Sequence, residues 1–295
     1  MRSNKGVFNY FPYSGNKFNF IDEISSLLDE FKVKEYEFIE PFGGSGIISR
    51  FISTSKNVKC WLNEIDGNIF KIHTSFKNGE FYELKDTIDE IYSLGDPKNN
   101  KDDYYRIRKI LNEKYFNNDK YEVYKKGFYL WAISTFAINS MIRFGKTGPN
   151  QGWGNRGDNR LNPCSVIEKN LFDSIKDSYK FIELTNLDYK DIILNLGCLK
   201  NIVIFVDPPY VKKNSGTYKF NDIQHDELID IIKSLNFPIL YTDIYSDKLL
   251  EILGKDWGYK ILRENIGIGK VGAFKKLEKE CIYFNFKKRS AKRLF

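Results

Sequence analysis

Residues 201–206 form an apolar run that stops abruptly at Asp207-Pro208-Pro209-Tyr210. A continuous run of this kind suits a central parallel strand covered by helices on both faces, because neither face then needs polar residues. Two consecutive prolines donate no backbone hydrogen bonds and restrict the directions of the flanking side chains, so the segment after the strand is rigid. A carboxylate beside free carbonyls makes an acceptor pair for an amino group, and Tyr210 adds a ring on which a planar base can stack. A purely structural turn capped by Asp207 would also fit these residues. Its place at the carboxyl end of a buried strand, where open α/β sheets bind their ligands, favours a site.

The rest of the chain alternates in the same manner. Residues 35–42 read as a short strand leading into Gly43-Gly44-Ser45-Gly46, after which Ile47, Ile48, Phe51 and Ile52 recur at helical spacing. A second strand, 58–62, ends at Asn63-Glu64-Ile65-Asp66. A helix over 228–235 precedes a strand at 237–242, and 258–263 with 281–286 form a terminal antiparallel pair. This pattern predicts an α/β protein with a Rossmann-like, doubly wound and mostly parallel sheet. Between the second strand and residue 201 lies a long interval rich in Tyr, Lys and Asn, mostly helical in pattern, whose last part, 144–163, carries five glycines and reads as an irregular loop. The expected division is a core over 1–72, an inserted helical subdomain over 73–170, and the second part of the core over 171–295. Within the insertion, Tyr104, Tyr105, Tyr121, Tyr124, Phe128 and Trp131 read as a packed core, and His73 and His225 as surface or packed residues.

Charge narrows the choice of partner. Residues 101–160 hold 12 Lys and Arg against 6 Asp and Glu, and Lys287, Lys288, Arg289, Lys292 and Arg293 crowd the tail, in a chain whose net charge is only +7. Two concentrated basic regions are either solvated surfaces or the footprint of a polyanion. The four cysteines, Cys60, Cys164, Cys198 and Cys281, show no paired spacing, and only two histidines are present, so neither a disulfide framework nor a structural metal is expected. No long apolar segment or secretory leader is evident, which fits a cytoplasmic protein without membrane attachment.

A glycine turn between strand and helix lets a ligand approach the backbone, and an acidic residue ending the next strand can accept both hydroxyls of a ribose. Glu64 lies 20 residues beyond Gly44, at the spacing for that role. Ser49 stands where a dinucleotide fingerprint would place its third glycine, so a nucleoside ligand without pyrophosphate fits better.

Taken in order, Tyr13-Ser14-Gly15-Asn16-Lys17, Glu40-Pro41-Phe42-Gly43-Gly44-Ser45-Gly46, Asn63-Glu64-Ile65-Asp66, Asn139-Ser140-Met141-Ile142-Arg143-Phe144, Leu187-Asp188-Tyr189 and Asp207-Pro208-Pro209-Tyr210 resemble the Dam-like, alpha-type adenine-N6 DNA methyltransferases over nearly the whole chain. The resemblance implies S-adenosyl-L-methionine as cofactor and double-stranded DNA as substrate. Tyr13 and Lys17 would contact the cofactor, Phe42 and Gly43 would line its pocket beside Gly44, and Glu64 would hold the ribose, one methylene longer than the Asp of many members. Asp188 would lie near the cofactor's adenine, and Asp207 would face both the methionine moiety and the target amino group. Asp207 and the Pro208 carbonyl, with Pro209 and Tyr210, would receive an adenine flipped from the duplex and turn its N6 lone pair toward the methyl group. Asn139, Arg143, Lys146, Asn150 and Arg156 are candidates for reading bases, and Lys109, with Lys101, Arg106 and Arg108, for contacting phosphates.

The recognition loop departs from the pattern of members that read GATC. They typically follow their Arg with Asn and a Gly-x-Phe-Asn-x-Pro sequence, whereas Arg143-Phe144 leads here to Gly145-Lys146-Thr147-Gly148-Pro149-Asn150. The resemblance therefore leaves the recognised sequence open. A cognate restriction endonuclease and a monomeric state complete the expectation. An RNA or protein amino-group methyltransferase would need the same acceptor pair, and a noncatalytic nucleic-acid-binding module would explain the charge but not the glycine turn, Glu64 and Asp207 together.

Overall fold

The computed structural model describes residues 5–11, 13, 15–31, 35–116, 123–138, 142–145, 147–154, 168–199, 201–210, 220–268 and 276–286. Its centre is a seven-stranded sheet. The apolar run before Asp207 is strand β4 (Ile202–Val206), buried at every position. It lies between β1 (Glu37–Glu40) and β5 (Ile239–Ile244), parallel to both. β2 (Cys60–Asn63) and β3 (Ile182–Thr185) continue the parallel sheet beyond β1. On the other side, β7 (Lys276–Phe284) runs antiparallel between β5 and β6 (Gly258–Ile268). The order is thus β3-β2-β1-β4-β5-β7-β6. The chain moves outward from β1 through β2 and β3, then returns to the other side of β1 as β4. That reversal opens a crevice at the carboxyl ends of β1 and β4.

Side chains alternate across the sheet and so divide the core in two. Phe38, Val203 and Phe205 point to a face covered by α2 (Ile21–Phe31), α3 (Ile47–Lys56) and α4 (Gly67–Asn78). Ile39, Ile202, Ile204 and Val206 point to the other, covered by α9 (Tyr189–Leu194), α10 (Asp222–Ser234) and α11 (Asp247–Leu253). On the first face the helical layer continues through α5 (Phe81–Ser93), α6 (Lys101–Phe116), α7 (Val123–Thr135) and α8 (Lys169–Asp177). Here Tyr104, Phe128 and Trp131 are fully buried and Tyr105 and Tyr124 partly so, as expected of a packed core; Tyr121 lies outside the described residues.

Three differences from the sequence reading have local causes. Strand β3 carries no clear signal because it lies at the sheet edge and only Ile182 is fully buried. Helix α10 starts at Asp222 rather than 228, because Asn221 and Gln224 form a reciprocal capping box. The division expected at 72/73 falls inside α4, which is one continuous helix packed against α7 and α8. No helix among the described residues is long and apolar enough to cross a membrane.

The N-terminal segment is fastened to this framework before it reaches Tyr13 and Lys17. Arg50 of α3 is fully buried. It donates to the Val7 and Phe8 carbonyls of α1 (Lys5–Phe8) and lies 4.5 Å from the Tyr10 ring. Trp131 Nε1 donates to the Tyr10 carbonyl at 3.0 Å, and the hydroxyls of Tyr10 and Tyr179 are 2.7 Å apart. The two terminal nitrogens of Arg50, the Tyr10 carbonyl and both tyrosine hydroxyls, which would be costly to bury alone, are thereby paired.

Candidate active site

At the crevice, a cavity of about 420 Å³ is lined by the N-terminal segment, the turn after β1, the ends of β2 and β4, and residues of β6 and β7. This is an ordinary size for a small-molecule site. Tyr13, Lys17, Phe42, Gly43, Gly44, Glu64, Asp207, Pro208, Pro209 and Tyr210 all line it.

The turn after β1 is shaped by close approach. Gly43 N–H donates to Asn63 O at 2.7 Å, and a Cβ on Gly43 would lie 2.6 Å from Leu62 Cδ1, so only glycine lets the turn press against β2. Gly44 adopts a left-handed φ of 50° beside Tyr13, and its N–H donates to Glu64 Oε2 at 2.7 Å. Glu64 Oε1 accepts from Asp66 N–H at 2.8 Å. The Glu64 carboxylate is therefore held by two backbone donors. His73, fully buried, bridges the Gly44 carbonyl at 2.8 Å and the Tyr179 hydroxyl at 2.7 Å. Burial lowers its pKa to about 4, so it serves as a neutral brace for the turn.

Glu40 ends β1 inside the same cavity. Its Oε2 accepts from the Ser49 N–H at 3.1 Å and from the Ser49 hydroxyl. Burial pushes its pKa up to about 8 despite these bonds, so the group is largely protonated at neutral pH. Phe42 stacks on Tyr189 with ring centroids 4.9 Å apart and meets Phe220 edge-on at 6.0 Å, which makes a fixed aromatic wall.

Asp207 and Tyr210 belong to one charged network. Lys17 Nζ lies 2.8 Å from Asp207 Oδ1, 3.4 Å from Glu280 Oε1 and 5.4 Å from the Tyr210 ring centroid. The Tyr210 hydroxyl donates to Glu280 Oε1 at 2.8 Å, and Thr242 donates to Asp207 Oδ1 at 2.5 Å. Burial disfavours the Lys17 charge, yet Asp207 and Glu280 outweigh it and hold the pKa above the usual value. Asp207 is also raised, by burial first, against the pull of Lys17 and Thr242. Burial, then the neighbouring Asp207 and Glu280, keep Tyr210 protonated.

The structure does not bring Asp188 to this cavity. Asp188 is exposed and caps α9, accepting from Lys190 N–H at 2.9 Å, while its neighbour Tyr189 reaches the site only as backing for Phe42. Conversely, Glu280, Thr242 and Arg263 escaped the sequence reading. A charged residue at a buried position of a terminal strand was the only available signal for Glu280, 5% exposed.

Beside the cavity stands a short hairpin in which Phe144–Gly145 pairs with Gly148–Pro149. Ile142 lines the cavity, and the next residue, Arg143, is exposed, as is Asn150, whose N–H donates to the Arg143 carbonyl at 2.9 Å. Asn139, Lys146 and Arg156 lie outside the described residues. Lys101 and Lys109 are exposed on α6. Arg106 and Arg108 are differently employed: the first pairs with Asp103 at 2.7 Å, and the second donates to the Gln151 carbonyl and packs over Tyr105.

No curated protein matches the chain in sequence. Among solved structures, the chain is similar to the rRNA methyltransferase aviRa from Streptomyces viridochromogenes, with 8% identity and a TM-score of 0.38 over 96% of this chain and 93% of that one. The family model described as D12 class N6 adenine-specific DNA methyltransferase matches residues 13–263, which runs from Tyr13 in the cavity through Asp207 and Tyr210 to Arg263 on its far wall. The chain therefore belongs to the D12 class N6 adenine-specific DNA methyltransferase family and is a site-specific adenine-N6 DNA methyltransferase.

Proposed function

We propose that the cavity binds S-adenosyl-L-methionine and that the adenine to be methylated enters beside it, flipped out of duplex DNA. The observation that carries this reading is the meeting of Glu64, at the end of β2, and Asp207-Pro208-Pro209-Tyr210, at the end of β4, in one cavity. The lining fits the cofactor's chemistry. Glu64 is braced to accept ribose hydroxyls, Phe42 and Ile65 offer apolar surface to a nucleobase, and Asp207 and Glu280 place negative charge where a cationic ligand is favoured. When bound, the cofactor supplies an electrophilic methyl group.

The chain's own residues do the rest. The Asp207 carboxylate and Pro208 carbonyl accept the two hydrogens of the adenine amino group, which draws its lone pair out of conjugation and aims it along the line of displacement. Tyr210 receives the base on its ring, offsetting part of the few kcal/mol that unstacking costs. Arg143 and Asn150, exposed on the hairpin next to Ile142, read bases, and Lys101 and Lys109 contact phosphates.

Two measurements test this reading together: calorimetric titration of the protein with S-adenosyl-L-methionine, and transfer of a labelled methyl group to duplex DNA followed by detection of N6-methyladenine. Saturable cofactor binding with transfer to adenine is expected. Transfer to adenine that survives substitution of both Glu64 and Asp207 would refute the placement of the site.

A further inference from the structure

Thr242 lies on β5, one residue beyond Tyr241, which pairs in register with Val206, so it stands beside the residue that follows β4. It is fully buried. Its hydroxyl donates to Asp207 Oδ1 at 2.5 Å, with the Val206 carbonyl a distant second acceptor at 3.5 Å. Lys17 Nζ approaches the same Oδ1 at 2.8 Å. A carboxylate oxygen has about two lone-pair sites, so these two donors fill Oδ1. Among the described residues no polar partner falls on Oδ2.

We infer that Thr242 is a positioning residue for methyl transfer: with Lys17 it saturates Asp207 Oδ1, fixes the carboxylate plane, and leaves Oδ2 as the oxygen presented to the adenine amino group. The inference rests on the reading of Asp207 as the amino-group acceptor. Its physical content is orientation. A carboxylate on a single Cβ turns freely about its last bond, and two donors converging on one oxygen from different strands and segments stop that rotation. The same contact favours the ionised form of Asp207 and so opposes the effect of its burial. A threonine that merely satisfied its own hydroxyl would affect stability and leave the rate of the bound complex alone.

Thr242→Val keeps the shape and removes the donor. Single-turnover transfer at saturating cofactor and DNA should fall roughly ten- to a hundredfold, the worth of one hydrogen bond to a charged group. Affinities for cofactor and DNA, measured separately by calorimetry and fluorescence anisotropy, should stay near wild type. Thr242→Ser restores the donor and should recover most of the lost rate. If Thr242→Val fails to fold by circular dichroism, the comparison of Thr242→Ala with Thr242→Ser carries the same test. A wild-type rate in the variant lacking the hydroxyl, or an equal loss in Thr242→Ser, overturns the inference. Asp207→Ala, measured alongside, separates the two levels: an active Asp207→Ala sinks the acceptor reading itself, whereas an inactive Asp207→Ala with a fully active Thr242→Val sinks only the role of Thr242.

Discussion

The end of the sheet around Asp207 and the hairpin around Arg143 are neighbours built on opposite plans. The first is made of strand ends, with buried carboxylates held by backbone N–H groups, by Lys17 and by Thr242. The second stands on the helical layer and is fastened by side chains of α6. Asn112 Nδ2 donates to the Pro149 carbonyl at 2.9 Å, Tyr104 donates to the Gln151 carbonyl at 3.1 Å, and Arg108 donates to the same carbonyl. Its outward groups, Arg143 and Asn150, remain exposed. On the proposed reading, chemistry common to adenine methylation is fixed in the core, while sequence reading occupies a surface that substitution can alter without disturbing the core.

The largest effect that would break this contrast is at Asp207. Asp207→Ala should lower transfer by at least on the order of 10²–10³, as loss of a preorganised polar group at a reacting centre does. DNA affinity should be largely intact, because the proposed phosphate contacts lie on α6. The measurement is transfer rate against DNA binding in the same preparation, and a large loss of DNA affinity with unchanged turnover would reverse the division of labour.

Next comes Glu64, where the structure changes the choice of variant. Alanine would free the Gly44 and Asp66 N–H groups as well as remove the ribose acceptor, whereas Glu64→Gln keeps an oxygen and the side-chain length. Glu64→Gln should weaken cofactor binding by about 1.5–3 kcal/mol, with DNA affinity in the absence of cofactor unaffected. Unchanged cofactor affinity in calorimetry would remove Glu64 from the site.

A smaller effect probes the sheet end by pH. Glu40 has its folded pKa raised to about 8 by burial, from an ordinary 4.5. Between these values the folded chain binds the proton more tightly than the unfolded one, so its contribution to stability is complete below about 4.5 and is lost as pH rises through about 8. Glu40→Gln, which keeps an acceptor for Ser49, should flatten the decline of the melting temperature over that window, and an unchanged profile would show that Glu40 ionises without cost.

How much of this was legible in the sequence follows from the same contrast. Strand β4 and the turn after β1 announced themselves because burial on both faces and tight glycine packing leave few residue choices. Tyr13, Lys17, Glu64 and Asp207 converge as their motifs implied. Thr242 and Glu280 did not show, since each lies in a strand whose pattern is explained by burial alone, and only the register of β5 and β7 brings them to Asp207 and Tyr210. Asp188 lies in the turn after β3, where it caps α9 and does not line the cavity. Arg108, read from charge as a phosphate contact, instead donates to the Gln151 carbonyl of the loop it supports, which Tyr104 reaches as well.

The finest distinction lies within the basic surface itself, between Arg143 and Lys109. Arg143 is exposed beside the cavity through Ile142, so a base within reach of it is close in sequence to the adenine being methylated. Lys109 is exposed on α6, the helix that supports the hairpin from behind. An arginine contacting a base edge should cost about 1–3 kcal/mol at one base pair when removed, and should relax the sequence preference there. A lysine on a phosphate carries no sequence information, so Lys109→Ala should weaken all sites alike and reduce the salt dependence of DNA binding by about one unit of slope. Methylome profiles of cells expressing Arg143→Ala or Lys109→Ala read both outcomes at once. A uniform loss of methylation with an unchanged motif in Arg143→Ala would move the reading head off this hairpin, and an altered motif in Lys109→Ala would move it onto α6.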